Sequence, residues 1–426
     1  MKSIEQHNVS FVGYHNLQGR PGFKIALQEV NDRWLLYVAG MWHSGLSILD
    51  VTDPSNPKFI RWVDGPPNTE TIQVQVADGL MITSLEKPYE RRNPVDGPQA
   101  DPDAAYKEGA YIWDVESDPT DPQLLSHWKT GGDGTHRNFY DGGKYAYMSA
   151  QLEGYEGNSV VVLDVSNPEN PEEVSRWCWE GQEPNQSATE RTYFHGPAYR
   201  DGDVAYLSYG SVGMVTLDLS NVSEPTLLNR VDFGDLGSWI GTHSAIPIPD
   251  TDLVAVNSEA IVEKSPLNDG GEPLNYVFLV DASDLDKVGY DGLAHKGPRI
   301  VSSMPTPTPE DDLEYDTYHQ RPGRFGPHNQ HHYRENGPRY RTSDYLIMTF
   351  FNAGLRIFDI SEPLAPTEVG SFVADNPDGR IGKIRPEQEL VSTFEDVVVD
   401  DRGYIYCTDP QQGLFILSSE LLPSQR

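Results

Sequence analysis

The stretch Gly45-Leu-Ser-Ile-Leu-Asp-Val-Thr-Asp-Pro-Ser-Asn-Pro57 joins an apolar run to an Asp and then to a Pro-bounded turn. Its apolar and β-branched residues suit a half-buried or buried strand. An Asp at the strand end can accept hydrogen bonds from the amides of the next turn, and Asx-Pro pairs start such turns. Proline bars the turn from the ladder. The chain then resumes as another strand, expected over Lys58 to Val63.

The phrase returns along the whole chain. It reads Tyr111-Ile-Trp-Asp-Val115 with a Pro-rich turn at Asp118 to Pro122, then Val160-Val-Val-Leu-Asp-Val-Ser-Asn-Pro-Glu-Asn-Pro171. It recurs as Met214-Val-Thr-Leu-Asp-Leu-Ser220, Val277-Phe-Leu-Val-Asp-Ala-Ser283 and Gly354-Leu-Arg-Ile-Phe-Asp-Ile-Ser-Glu-Pro-Leu-Ala-Pro366. The last copy, Gly413-Leu-Phe-Ile-Leu-Ser-Ser419, has Ser418 at the Asp position. The anchors Asp50, Asp114, Asp164, Asp218, Asp281, Asp359 and Ser418 stand 64, 50, 54, 63, 78 and 59 residues apart. That spacing suits a four-stranded propeller blade with loop insertions. The phrase resembles the LVIVD repeat, and the resemblance implies a β-propeller without implying an activity.

A second recurring strand precedes each phrase, as in Trp34-Leu-Leu-Tyr-Val, Tyr145-Ala-Tyr-Met-Ser, Val204-Ala-Tyr-Leu-Ser and Tyr404-Ile-Tyr-Cys-Thr. Turn signals such as Asp141-Gly-Gly and Asp201-Gly-Asp stand before several of them, as a hairpin requires. The strand before each hairpin is then the innermost of its blade. Seven hairpins predict an all-β, seven-bladed propeller. The last blade lacks an outer strand, and Asn8 to Leu17 can supply it, closing the ring and removing a sheet edge. The 426 residues, long enough for two or three domains, then form a single domain over 1–426, with insertions at about 86–106 and 305–324.

The formal net charge of -33 disfavours nucleic acid and anionic membrane as partners. No apolar stretch is long enough to span a bilayer. Met1 to Leu17 lacks the apolar core of a secretory signal, so the expected compartment is the cytoplasm. Two cysteines, Cys178 and Cys407, allow no disulfide framework and read as buried free thiols.

Aligning the inner strands places His136 on His195 and Glu395 on the same position. Blades five and six open their inner strands with Gly241-Thr-His243 and Gly326-Pro-His328, blade two offers Glu70 or Thr71, and blade one Ala26. Four imidazoles converging at one height on the axis suit a divalent transition ion, with Fe(II) favoured and Mn, Zn or Cu as alternatives. Glu395 and Glu70 could accept the outer N–H groups of those rings. Such histidines could equally be a structural feature of the repeat.

A further tier stands where the hairpin strands end on the same face: Trp42, His43, Glu86, Gln151, Tyr209, Glu259, Asn352 and Gln411. His43 is the candidate general base. Arg137 and Arg324 read either as ion-pair residues or as holders of a substrate carboxylate. His331 or His332 could replace His328 if the register shifts, and Trp239, Tyr318 and Phe351 could line a pocket. Architecturally the plan is similar to carotenoid cleavage oxygenases, selenium-binding proteins and oligogalacturonate lyases. The leading expectation is therefore a metal-dependent oxidoreductase or dioxygenase on a small organic substrate. A metal-assisted lyase or hydrolase and a non-catalytic protein-binding propeller are the alternatives.

Overall fold

The computed structural model describes residues 3–426 apart from 89–92, 95–100, 102, 190–191, 237, 239, 262–275, 293, 311–312 and 384–388. Seven antiparallel sheets follow one another around a ring. Blade one is Ile25–Val30, Arg33–Ala39, Gly45–Asp50 and Lys58–Asp64, from the axis outward. The quoted phrase is thus the third strand, as the alternation predicts, and every residue of Gly45–Leu49 is buried.

The chemistry of the phrase repeats blade by blade. Asp50, Asp114, Asp164, Asp218, Asp281 and Asp359 each accept the amide two residues on through Oδ1, at 2.8–3.0 Å. A bulge falls just before that position in every third-to-outer pair, for example between Ile48 and Leu49, between Val162 and Leu163, and before Ser418 in blade seven. Bulges add local twist, and here each one bends the outer strand around the ring.

Closure uses the N-terminus as expected. Ser10–His15 pairs with Gly413–Ser418 as the outer strand of blade seven, in the register Ser10↔Ser418 to His15↔Leu414. The residues before it add a feature the repeat did not announce. Ser3–His7 pairs with Thr367–Ala374, so blade six also carries an N-terminal outer strand. Val9 and Leu17, at the ends of the closing strand, are buried in the cores of blades six and seven and of blade one.

Neighbouring blades are joined at the level of the axis by second-strand side chains. Ser149 Oγ donates to the Phe194 carbonyl at 2.7 Å, Asn257 Nδ2 to the His328 carbonyl at 2.9 Å, and Thr349 Oγ1 to the Glu395 carbonyl at 3.2 Å. Thr408 Oγ1 donates to the Phe23 carbonyl at 2.6 Å. Thr408→Val keeps the shape but strands that buried carbonyl, so a loss of about 1–3 kcal/mol is expected in denaturant unfolding. An unchanged midpoint would show that this bond does not hold blades seven and one together.

Candidate functional site

The backbone register decides which side chains meet on the axis. The amides of His136, His195, His328 and Glu395 donate to the carbonyls of Ser149, Ser208, Thr349 and Thr408, the same position in each second strand, at 2.8–2.9 Å. In blade five, Ser244 pairs with Asn257, which puts His243 at that level. In blade one the amide that makes the bond is Phe23, to Ala39. Ala26 lies further along, because it pairs with Tyr37 across a longer hairpin than Phe139 with Tyr147. In blade two the Ser84 amide donates to the Gln73 carbonyl, which sets Ile72 at the ring. The ring is therefore polar over blades three to seven and apolar over blades one and two. Phe23 and Ile72 pack with Met41 and Trp42 in one buried cluster.

The four histidines stand in a row. Ring centroids are 4.8 Å apart from His136 to His195, 4.4 Å from His195 to His243 and 4.7 Å from His243 to His328. His328 also stacks on Phe351 at 4.5 Å. Burial draws His195, His243 and His328 well below the ordinary imidazole range, and adjacent Arg137 adds to this in all three. Neutral rings keep a lone pair for a ligand or a donor.

Three carboxylates meet this row. Glu86 lies 3.0 Å from His136 Nδ1, and Glu395 lies 3.2 Å from His328 Nδ1. Glu259 faces three Nε2 atoms, at 3.7 Å from His195, 3.6 Å from His243 and 3.8 Å from His328. The ligand atoms of His195, His243 and Glu259 all lie within 4.8 Å of one another, which is a group able to hold a metal ion. Glu259 and Glu86 end second strands, where chain direction brings them back to the mouth; their tier was legible in the sequence but their partners were not. Glu70 pairs through its backbone with Glu86, and Glu86 is the carboxylate at His136.

The two arginines separate. Arg324 ends the 305–324 insertion and donates to Glu259 at 2.8 Å and toward Glu395 at 3.5 Å, lying 3.8 Å over the Phe351 ring. Arg137 is buried, donates from Nη1 to His243 Nε2 at 2.5 Å, and bonds Asn329 Oδ1 through Nη2. Below the ring Lys24 pairs with Asp396 at 2.6 Å, and burial lowers the lysine to about 8 against the pull of that carboxylate.

Other candidates fall elsewhere. No hydrogen bond or ring contact joins His43 to the four imidazoles; it sits in the blade-one turn with Nε2 buried and unpartnered. His331 uses both ring nitrogens on backbone, at the Tyr340 carbonyl and the Val399 amide. His332 packs against Tyr199 and Phe139 in a small cavity further along the axis. Tyr318 belongs to the core around blade six, and Trp239 lies outside the described residues. Both cysteines are free, Cys407 buried and Cys178 only partly so.

Fold and site together define a seven-bladed β-propeller with a His/Glu cluster at its axis. The LVIVD repeat is matched at residues 35–64, 142–178, 201–233 and 343–374, so four stretches of this chain, falling in blades one, three, four and six, are LVIVD repeats. No curated protein matches the chain in sequence. Among solved structures it is similar to a hypothetical selenium-binding protein from Sulfolobus tokodaii, at 13% identity over 95% of this chain and 83% of the other, with a TM-score of 0.48. It is also similar to a chain of the mitotic checkpoint complex, at 10% identity over 94% and 89%, TM-score 0.50. A third is the periplasmic gluconolactonase of Pseudomonas aeruginosa, at 12% identity over 92% and 98%, TM-score 0.52. At these identities the likeness to the latter two speaks of the propeller fold alone.

Proposed function

We propose that this chain is a metal-dependent enzyme acting on a small organic substrate, with a transition ion on the propeller axis. His195, His243 and Glu259 form the centre of the ligand set, and His328 and His136 flank it. The observation that carries this reading is the approach of three Nε2 atoms to one carboxylate at 3.6–3.8 Å. Those gaps are too long for hydrogen bonds. They are close to the roughly 3.0–3.5 Å that separates ligands sharing one ion at about 2.1 Å.

When bound, such an ion polarises a substrate oxygen and, if redox-active, exchanges electrons; Fe(II) leads our expectation, ahead of Mn, Zn and Cu, and oxidoreductase chemistry leads with it. The chain's own residues prepare the site. Glu86 accepts Nδ1–H from His136, which leaves its Nε2 as the lone-pair nitrogen, while Glu395 stands 3.2 Å from His328 Nδ1, where Asn329 Nδ2 also lies at 3.1 Å. Arg324 aims Glu259 and Glu395 and balances their charge. Phe23 and Ile72, at the ring positions of blades one and two, exclude water from one side.

Elemental analysis of protein purified without chelator tests this, beside a His195→Ala/His243→Ala double variant whose folding is checked by circular dichroism. The expected result is about one transition ion per parent chain and none in the variant. A parent that takes up no ion even on reconstitution would overturn the reading.

A further inference from the structure

Among the described residues three cations approach the histidine row, and two of them are paired with carboxylates. Lys24 has Asp396, and Arg324 has Glu259 and Glu395. Arg137 is 2% exposed, yet its hydrogen-bond partners, His243 and Asn329, are both neutral. Its Nε–H is buried with no acceptor at all. Asp396 and Glu259 attract it from beyond hydrogen-bonding distance, and a buried guanidinium with no carboxylate in contact is costly. A buried N–H without an acceptor adds to that cost.

The position is informative as well. Arg137 holds the His243 Nε2 lone pair, the same lone pair that faces Glu259. His243 in turn sets its Nδ1 3.0 Å from Ser244 Oγ, which fits a neutral ring donating from Nδ1. An ion taking that lone pair would free Arg137, leaving two positive charges side by side. An anionic oxygen between them would relieve the repulsion.

We infer that Arg137 receives a small monocarboxylate, whose apolar part lies toward Phe23, Ile72, Met41 and Trp42. The planar fork of arginine matches a carboxylate edge. Glu86, Glu259 and Glu395 surround the histidine row, and their charge opposes a dianion such as phosphate. The apolar quartet has no polar function to offer beyond the Trp42 indole N–H, which is itself buried without a partner. This assignment deepens the proposed function by naming its substrate class. Carboxylate binding to Arg137 does not itself require the ion.

Isothermal titration of butyrate into the full chain, metal-free and zinc-loaded, tests the assignment, with butyramide as the neutral control. Butyrate is expected to bind saturably, and butyramide at least about tenfold more weakly. Arg137→Met is expected to weaken butyrate by at least about tenfold while metal content stays equal or rises, because a competing cation has gone. Butyrate that binds neither form of the parent would overturn the assignment, as would butyramide or R137M binding that matches the parent with butyrate. If R137M does not fold, the butyrate–butyramide comparison on the parent decides alone. A parent without metal that still binds butyrate through Arg137 would remove the metal reading and leave this one standing.

Discussion

Arg356→Met is expected to cost about 3–5 kcal/mol, because it leaves a carboxylate buried without its cation. Arg356 is fully buried in the third strand of blade six. Its Nη1 donates to Glu5 at 2.6 Å and to Glu368 at 2.8 Å, its Nε donates to the Ala353 carbonyl at 2.8 Å, and Tyr318 O–H bonds the other oxygen of Glu5. Glu5 belongs to the N-terminal strand Ser3–His7, so the arginine pins that strand to blade six. The loss should appear as a lower denaturant midpoint, with faster amide exchange over residues 3–7. Glu5→Gln added to R356M should recover much of it, because the stranded charge is then gone. A double variant no more stable than R356M would show that packing, not the unpaired carboxylate, sets the cost.

The second large effect is on acid stability. His331 accepts the Val399 amide at Nδ1, at 3.1 Å, and donates from Nε2 to the Tyr340 carbonyl at 2.9 Å, so the Val399 amide demands the neutral ring. Burial first, and then Arg334, lower it to about 4, against the raising effect of Tyr340. In the unfolded chain the ring takes a proton below its ordinary value near 6.5. Above about 6.5 neither state is protonated, and the stability does not change with pH through this group. Between 6.5 and 4 only the unfolded state binds the proton, so stability falls with pH by about 3 kcal/mol and then levels off. The gap in unfolding free energy between the parent and His331→Gln should therefore shrink by that amount from pH 7 to pH 4. A gap that keeps its size across this range would show that His331 titrates normally in the folded chain.

The repeat phrase was enough to reach the propeller, the role of the third strands and the closure by residues 10–15. These rest on local chemistry: β-branched strands, an Asp that bonds the next turn, and prolines that leave the ladder. The histidine row was legible for the same reason, since His136 and His195 share an offset from equivalent strands. The apolar half of the ring was not. Strand alignment puts Ala26 at the ring of blade one, but a longer hairpin places Phe23 there instead. Hairpin length changes register, and periodicity alone does not report it.

What the sequence by itself determined is the blade, its count and the residues that line up at one level in blades three to seven, because each follows from spacing within a few tens of residues. Only the tertiary structure decided the partners. Glu259 faces three imidazoles supplied by three blades, and Arg324 joins the carboxylates of blades five and seven. Arg137 reaches from blade three to His243 in blade five and Asn329 in blade six. Such contacts cross the axis between residues up to 192 apart in the chain, where ring closure, and no local preference, sets the distance.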